Sequence, residues 1–224
     1  MGRQGLFFSI GLIASFGAAP VAYAEPDQSW TGFFLSGPPD KDSKLLVWFD
    51  GHARFREGAG EIDVSIVRPG LGWRVSSTLD VYAGYAHISQ YRETGDIEEH
   101  RLWQQAIYPI ADFAGGKLTG RTRLEQRFRD TGDDTGWRLR QFLRFGRPID
   151  GTPFGIVVSN EVFIGLNQTD WGQQDGYDQN RLFLGASWQI QSSMRLEGGY
   201  LNQHINGTND VKRDNFAVNL FGAF

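Results

Sequence analysis

Arginine occurs at every second position in two neighbouring stretches of the chain. Residues 121–129 hold four arginines around Glu125, and residues 138–144 hold three around Phe142. A guanidinium binds a carboxylate or a phosphate through paired, charge-assisted hydrogen bonds, and a ring of arginines in a narrow passage favours anions. The pattern therefore indicates ion pairing or anion binding by seven side chains, which are Arg121, Arg123, Arg127, Arg129, Arg138, Arg140 and Arg144.

His87-Ile88-Ser89 is the candidate for enzyme chemistry. Residues two apart on a strand share a face, so the imidazole of His87 could accept the proton of the Ser89 hydroxyl as a general base. Glu98 or Glu99 on the next strand could orient the imidazole if the register allows it. The alternative interpretation is a histidine and a serine that lie side by side at a membrane boundary without a catalytic role.

Metal, cofactor and nucleic-acid functions have little support in the sequence. The chain has no cysteine, and the other histidines, His52, His100 and His204, lack the spacing of metal ligands. No glycine-rich phosphate loop joins a strand to a helix, so we expect no metal and no cofactor. The formal net charge is −4, from 22 Lys+Arg and 26 Asp+Glu, which excludes a protein that coats nucleic acid.

The period of two predicts β-strands with two different faces. Leu124 and Phe128 alternate with the first arginines, Trp137 and Leu139 with the second, and a Gly/Asp/Thr segment at 131–136 separates them as a hairpin loop. One face is charged and the other apolar, which is typical of a transmembrane antiparallel β-barrel with lipid outside and a charged lumen inside. A soluble β-sandwich with an aromatic core is the alternative.

Residues 1–24 are typical of a secretory signal peptide. Arg3 gives a basic start, residues 6–21 form an apolar run, and the Ala-Tyr-Ala of residues 22–24 fits cleavage after Ala24. A single transmembrane anchor is the alternative, but the run is short for a helix that needs about 20 apolar residues. We therefore predict export, and the barrel pattern predicts location in the bacterial outer membrane.

The exported chain is predicted to consist of a lead-in segment and a barrel. Residues 25–43 contain Trp30 but are interrupted by Gly37-Pro38-Pro39, so we predict a periplasmic lead-in or a partial strand. Residues 44–224 predict a barrel of about ten strands, with a range of roughly eight to twelve, in which polar loops alternate with tight turns. Counting the Trp30 segment as a full strand would give about eleven.

Two places deviate from this regular pattern. The apolar residues of the second predicted strand change parity at Pro69, which predicts a β-bulge there. The link at residues 111–117 is longer than the tight turn expected between neighbouring strands of a barrel.

Aromatic residues are placed to lie at the two edges of an apolar band. Trp137 and Phe145 are separated by roughly 26 Å along a strand, or about 20 Å across a membrane after tilting. Phe216 and Phe224 have the same spacing. We predict that these four residues form a membrane girdle. The terminal Phe224, preceded by alternating apolar residues, also resembles the signal that outer-membrane barrels present to the barrel assembly machinery, a predicted partner.

Six segments resemble the bacterial outer-membrane β-barrel family catalogued as domain of unknown function 2490. Their order and spacing carry the resemblance, which covers most of the chain after the signal and implies an exported barrel without supplying a reaction or a ligand. The segments are Arg68-Pro69 with Gly72, RTRLEQRF at 121–128, RLRQFLRF at 138–145, NEVFIGL at 160–166, QNRLFLG at 179–185 and LEGGYLNQ at 196–203. Separately, His87-Ile88-Ser89 is similar to the His-x-Ser of lipid A deacylases, but the rest of that pattern is missing.

Three functions remain open for such a barrel. The favoured one is a monomeric, non-enzymatic protein with a structural or interaction role and a salt-bridged lumen. The second is a narrow anion-preferring pore, and the third is a lipid A-modifying hydrolase that uses His87 and Ser89. Outer-membrane lipid and lipopolysaccharide are expected partners, and Arg129 and Arg138 could bind lipopolysaccharide phosphates. Besides the seven arginines, the predicted lumen network contains Glu125, Glu161, Arg181, Arg195 and Glu197.

Overall fold

In the part of the chain that the structure describes, β-strands are the only regular secondary structure. The computed structural model describes residues 27–56, 60–207 and 210–223. Within these ranges, no helix is long and apolar enough to cross a membrane. The strands are β1 (Gln28–Gly37), β2 (Leu45–Arg56), β3 (Ile62–Ser76), β4 (Leu79–Gln90), β5 (Ile97–Phe113), β6 (Gly116–Arg129), β7 (Gly136–Pro148), β8 (Phe154–Gly165), β9 (Gly176–Gln191), β10 (Met194–Ile205) and β11 (Val211–Ala223).

The strands close into a barrel, as the alternating pattern predicts. Consecutive strands pair in antiparallel register, and β1 closes the ring by pairing with β11 in parallel. The prediction of a closed β-barrel is confirmed, and the eleven strands found within the described residues fall in the predicted range. The predicted signal peptide, residues 1–24, lies outside the described residues.

The interpretation of the Trp30 segment as a lead-in is wrong. Gln28–Gly37 forms β1, which pairs with β2 on one side and with β11 on the other, so the barrel begins at Gln28 rather than at residue 44. Consecutive Phe33, Phe34 and Leu35 hide the alternation that marks the other strands. Without β1 the edges of β2 and β11 would have unpaired backbone groups, which a closed barrel removes.

The two ends of the barrel differ in their connections. Links at residues 91–96, 130–135 and 166–175 lie at one end, called here the loop end, and links at 77–78, 114–115 and 192–193 lie at the other, the turn end. The prediction of a longer link at 111–117 is wrong because β5 and β6 continue almost to their turn. Ala114 and Gly115 make this two-residue turn with φ of 49° and 71°, as in a type I′ hairpin.

Side chains alternate between the lumen and the outer surface along each strand. On β3, Leu71 and Trp73 face outward and are 62 % and 52 % exposed, whereas Ile66 and Arg68 are buried in the lumen. The β-bulge predicted at Pro69 is wrong, since the pairing of β3 with β2 continues through it without a change of register. The apolar residues change face because part of the lumen is itself apolar.

This apolar part of the lumen is built around Trp103. The indole of Trp103 is fully buried and packs against Trp48, with ring centroids 6.3 Å apart. Gly70 and Gly84 are paired in the β3–β4 ladder and give the indole a flat surface, because a Cβ on either would lie 2.5 Å from a Trp103 ring carbon. The buried members of this cluster are Leu46, Trp48, Ile66, Tyr82, Ala86, Ile88 and Trp103.

Replacing Gly84 by alanine is expected to destabilise the barrel. The new methyl group would overlap Trp103 and would also lie 2.3 Å from the carbonyl oxygen of Pro69, and overpacking of this kind costs about 1–3 kcal/mol. Gly51→Ala is the matched control, because its Cβ would meet nothing closer than 3.8 Å. Urea unfolding of both refolded variants measures the effect, and equal stabilities would contradict the packing described here.

Candidate functional site: an arginine-lined lumen

Glu125 lies at the centre of an ion-pair network inside the barrel. It is fully buried on β6 and accepts hydrogen bonds from Arg138 at 2.7 and 3.1 Å and from Arg140 at 2.7 Å. Arg101 on β5 adds a third guanidinium, with its Nη1 3.6 Å from the carboxylate. These contacts join β5, β6 and β7, because separating the strands would leave buried charges unpaired.

Glu99 forms the second centre of the network, nearer the loop end. It is fully buried on β5, and its carboxylate accepts hydrogen bonds from Arg101 at 2.7 Å, Arg127 at 2.6 Å and Arg129 at 3.3 Å. Arg101 therefore connects Glu99 to Glu125. One carboxylate again serves three guanidiniums, so the positive charge in this region is only partly compensated.

Two more carboxylates bind arginines along the barrel wall. Glu161 on β8 and Glu197 on β10 each bind two of them. Glu161 is joined to the Glu125 centre through Arg140, whereas Glu197 forms a separate cluster with Arg144 of β7 and Arg195 of β10. The contacts are Arg121–Glu161 at 2.8 Å, Arg140–Glu161 at 2.8 Å, Arg195–Glu197 at 2.8 Å and a close Arg144–Glu197 hydrogen bond.

Arg123 and Arg181 are the predicted network members that form no ion pair with a described residue. Arg123 is fully buried and donates to the side-chain oxygen of Gln105 at 2.5 and 2.9 Å. The guanidinium carbon of Arg181 lies 4.5 Å from the ring centroid of Phe163. The lumen thus contains guanidiniums that neighbouring carboxylates do not neutralise.

Arg68 and Asp178 are among the lumen residues that sequence reasoning missed, whereas the parity of β2 had placed Asp50 in the lumen. Arg68 binds the buried Asp50 at 2.7 Å, and Asp178 lies 3.1 Å from Arg138. The bulge expected at Pro69 shifted the predicted lumen face of β3 by one residue, so Arg68 was not assigned to the lumen. A regular alternation through β3 would have found it, whereas Asp178 stands in a polar segment without a clear period.

A cavity of about 870 Å³ lies beside the network in the lumen. Its lining includes Gln90 and Ile205 near the loop end and Ser36 and Phe221 near the turn end, so it extends along most of the barrel axis. Thirteen arginines but four acidic residues line it within the described chain. They are Arg54, Arg68, Arg92, Arg101, Arg121, Arg127, Arg129, Arg138, Arg140, Arg144, Arg181, Arg195 and Arg213, with Asp63, Glu161, Asp178 and Glu197.

The loop of residues 166–175 folds over the loop end of the lumen. Its Trp171 ring centroid lies 5.0 Å from the guanidinium carbon of Arg127 and 4.9 Å from that of Arg129. Gln173 accepts a hydrogen bond from Arg127 at 2.9 Å. Arg129 and Arg138, considered above for lipopolysaccharide phosphates, both point into the lumen and pair with Glu99 and Glu125.

Asp170 fastens this loop to the β6–β7 loop. Its carboxylate accepts hydrogen bonds from the backbone N–H groups of Asp133 at 2.8 Å and Asp134 at 3.2 Å, and Asp134 accepts one from the N–H of Asp170 at 2.9 Å. Backbone N–H donors stabilise the ionised form and hold the pKa of Asp170 below its ordinary value. An ionised Asp170 therefore strengthens the connection between the two loops, to which Trp171 and Asn167 add hydrogen bonds to the carbonyl oxygens of Asp134 at 2.7 Å and Thr135 at 2.9 Å.

His87 and Ser89 face the outer surface rather than the lumen. Ile88 between them is buried in the apolar cluster of the lumen, so its two neighbours point outward. Nε2 of His87 lies 2.8 Å from Oε2 of Glu98, and the hydroxyl of Ser89 donates to the same oxygen at 2.8 Å. The Ser89 hydroxyl thus donates its proton to the Glu98 carboxylate, and no hydrogen bond among the described residues joins it to the His87 imidazole. Glu98, rather than Glu99, is the residue that meets His87.

The predicted girdle residues occupy the outer surface where they are described. Trp137 and Phe216 are 40 % and 49 % exposed. Phe145 stacks on Phe113, with ring centroids 4.8 Å apart, at the turn end. Phe224 lies outside the described residues.

Comparison with known proteins assigns the chain to a family. The family model described as "Protein of unknown function (DUF2490)" matches residues 27–215. The chain belongs to this family. An uncharacterised protein of Methylorubrum extorquens is 34 % identical over 201 residues, which cover 88 % of this chain and 87 % of that protein. The matched range contains β1 and the whole ion-pair network, so both belong to the family domain.

Glu125→Gln is expected to destabilise the barrel by about 3–5 kcal/mol, because it leaves buried guanidiniums without a counter-charge. Glu93→Gln, on the exposed 91–96 loop, is the control and should have a stability within about 0.5 kcal/mol of the unchanged protein. Urea unfolding of both refolded variants gives the free energies. A Glu125→Gln variant as stable as the control would show that the network does not hold the strands together.

Acidification below pH 3.8 is expected to loosen the contact of the 166–175 loop with the β6–β7 loop. Because the pKa of Asp170 is lowered by folding, its contribution is complete above its ordinary value of 3.8 and is lost as the pH falls through the folded value. Hydrogen exchange of residues 166–175 across this range measures the loosening. In Asp170→Asn these residues should exchange faster at neutral pH than in the unchanged protein, and in Asp150→Asn, at the turn end, they should not. Exchange in Asp170→Asn as slow as in the unchanged protein would contradict the role of this carboxylate.

Proposed function

We propose that this protein is an outer-membrane β-barrel whose arginine-lined lumen accepts and conducts small anions. The observation that carries the proposal is the excess of guanidiniums over carboxylates on the cavity wall. A passage lined by positive charge raises the local concentration of anions and excludes cations. The buried ion pairs fix the guanidinium positions, so the field inside the lumen is built into the fold.

The location in the outer membrane rests on the surface of the barrel and on the N-terminal sequence. Apolar side chains such as Leu71, Ile156 and Leu184 are 62 %, 51 % and 46 % exposed on the outer face, as expected where lipid replaces water. The signal-like residues 1–24, with cleavage after Ala24, would direct export. Lipid and lipopolysaccharide would then surround a single copy of the barrel.

A closed structural barrel is the second candidate. Glu99 and Glu125 are fully buried, and the apolar cluster around Trp103 fills the opposite side of the lumen. If the cavity does not connect the two ends, the network serves stability alone and the loop end is the surface for interaction. The contacts of His87 and Ser89 lend no support to a hydrolase, because the hydroxyl donates to Glu98.

Planar-bilayer conductance of the refolded mature protein tests the pore. Under a salt gradient, the reversal potential should have the sign of anion preference. Arg121→Gln should reduce this preference, because a guanidinium about 8 Å from a passing ion changes its energy by about 0.5 kcal/mol, or roughly twofold in occupancy. Glu161 keeps Arg140 as its partner in this variant.

Lys117→Gln removes the same charge from the exposed turn end and is the matched control. It should leave the selectivity unchanged. An equal effect of Arg121→Gln and Lys117→Gln would place the selectivity outside the lumen. A silent bilayer, with the protein shown folded by its heat-modifiable gel shift, would favour the closed structural barrel.

A further inference from the structure

Two guanidiniums without carboxylate partners meet at one indole in the cavity. The guanidinium carbon of Arg54 on β2 lies 3.9 Å from the ring centroid of Trp30, and that of Arg181 on β9 lies 4.9 Å from it. Neither side chain forms an ion pair or a hydrogen bond with a described residue, and the Nε of each is buried without a partner. Cation–π attraction offsets part of the cost of burying them, but it leaves their buried Nε–H groups without a hydrogen-bond acceptor.

The carboxylates nearest to this pair are already bound elsewhere. Asp63 lies 3.0 Å from the Nε of Arg56 and accepts a hydrogen bond from Gln28 at 2.6 Å. Glu161 is held by two other arginines of the network. The positive charge at Trp30 therefore has no carboxylate bound directly to it among the described residues, and an anion from outside would supply one such partner.

Trp30 is held in place before any ligand arrives. Its indole N–H donates to the side-chain oxygen of Gln28 at 3.0 Å, and Gln28 in turn donates to Asp63. In the strand register Trp30 lies directly between Arg54 on β2 and Ala217 on β11. Because the indole is fixed by its hydrogen bond and its neighbours, its side chain loses little conformational entropy when a ligand binds.

An apolar wall continues from Trp30 along the cavity. Val157, Phe183 and Ala217 are buried there, and Leu201 packs against them together with Trp30. The site thus has two parts, a pair of guanidiniums with free donors and an adjoining apolar surface. A bare inorganic anion would use the first part and leave the second without a contact.

We propose that Arg54, Arg181 and Trp30 bind a small, soluble organic anion that carries one phosphate or carboxylate group on an apolar or aromatic body. The anionic group accepts hydrogen bonds from the two guanidiniums, and the apolar body rests on Trp30 and the wall beside it. This inference rests on the proposed function, because it names the class of anion that the lumen accepts.

Calorimetric titration of the refolded protein in a non-ionic detergent tests the ligand class. Phenyl phosphate is the probe, inorganic phosphate supplies the charge without the ring, and phenol supplies the ring without the charge. Phenyl phosphate should bind at least about tenfold more tightly than inorganic phosphate, because its ring is removed from water. Phenol should not bind. Equal affinities for the two phosphates, or comparable binding of phenol, would overturn the proposed ligand class.

The double variant Arg54→Gln/Arg181→Gln tests the residues. It should weaken phenyl phosphate binding by about 10- to 100-fold, the value of hydrogen bonds to a charged group. Arg195→Gln is the matched control, since it removes a cavity arginine whose partner Glu197 keeps Arg144. Unchanged affinity in the double variant, or an equal loss in the control, would overturn the site.

Trp30→Leu gives an independent readout if the double variant does not refold. It should reduce the preference for phenyl phosphate over inorganic phosphate while both anions still bind, and an unchanged preference would overturn the role of the indole.

These experiments distinguish failure of the binding site from failure of the proposed pore. Loss of binding in the double variant with no conductance supports the site and rejects the pore. Anion-selective conductance with binding unaffected by the double variant rejects the site and keeps the pore.

Discussion

A guanidinium that leaves water is stabilised most strongly by an anion, and the interior of this barrel holds more guanidiniums than carboxylates. Because carboxylates are fewer than guanidiniums, Glu99 and Glu125 each contact three arginines at once, and both are fully buried among them. A carboxylate shared in this way cannot move without leaving several charges unpaired. Strand positions, guanidinium positions and the field in the cavity are therefore determined together.

The lumen divides into a part that is packed and a part that is open. Around Trp103 the glycines of β3 and β4 let large rings lie flat against the wall, and the interior there resembles the core of a soluble protein. Across the barrel, the arginines of β6, β7 and β9 line the cavity, and shared carboxylates hold several of them in place. The open part of the lumen is therefore also the part whose wall has an excess of positive charge.

The alternating arginines of β6 and β7 predicted the barrel and most of the lumen network from sequence, because a strand places every second side chain on one face. Three features were not predicted from the sequence. The apolar residues of β1 are consecutive, so its two pairings are a property of the closed ring rather than of its own pattern. The apolar residues of β3 change from the lumen face to the outer face because the lumen beside Ile66 is filled by the apolar cluster around Trp103. The sequence of β3 alone does not show this. The meeting of Arg54 and Arg181 at Trp30 joins three distant segments, and spacing along the chain contains no information about such a meeting.

The odd number of strands among the described residues fixes the ends of the barrel at which β1 starts and β11 finishes. Because β1 and β11 run in parallel, Gln28 lies with the long loops while Ala223 lies with the short turns. Within the described residues, the barrel is thus five hairpins and one additional strand. In any membrane that the barrel crosses, its first and last strand ends open into different compartments. A reporter fused before β1 and one fused after β11 would therefore sample opposite sides of the same bilayer.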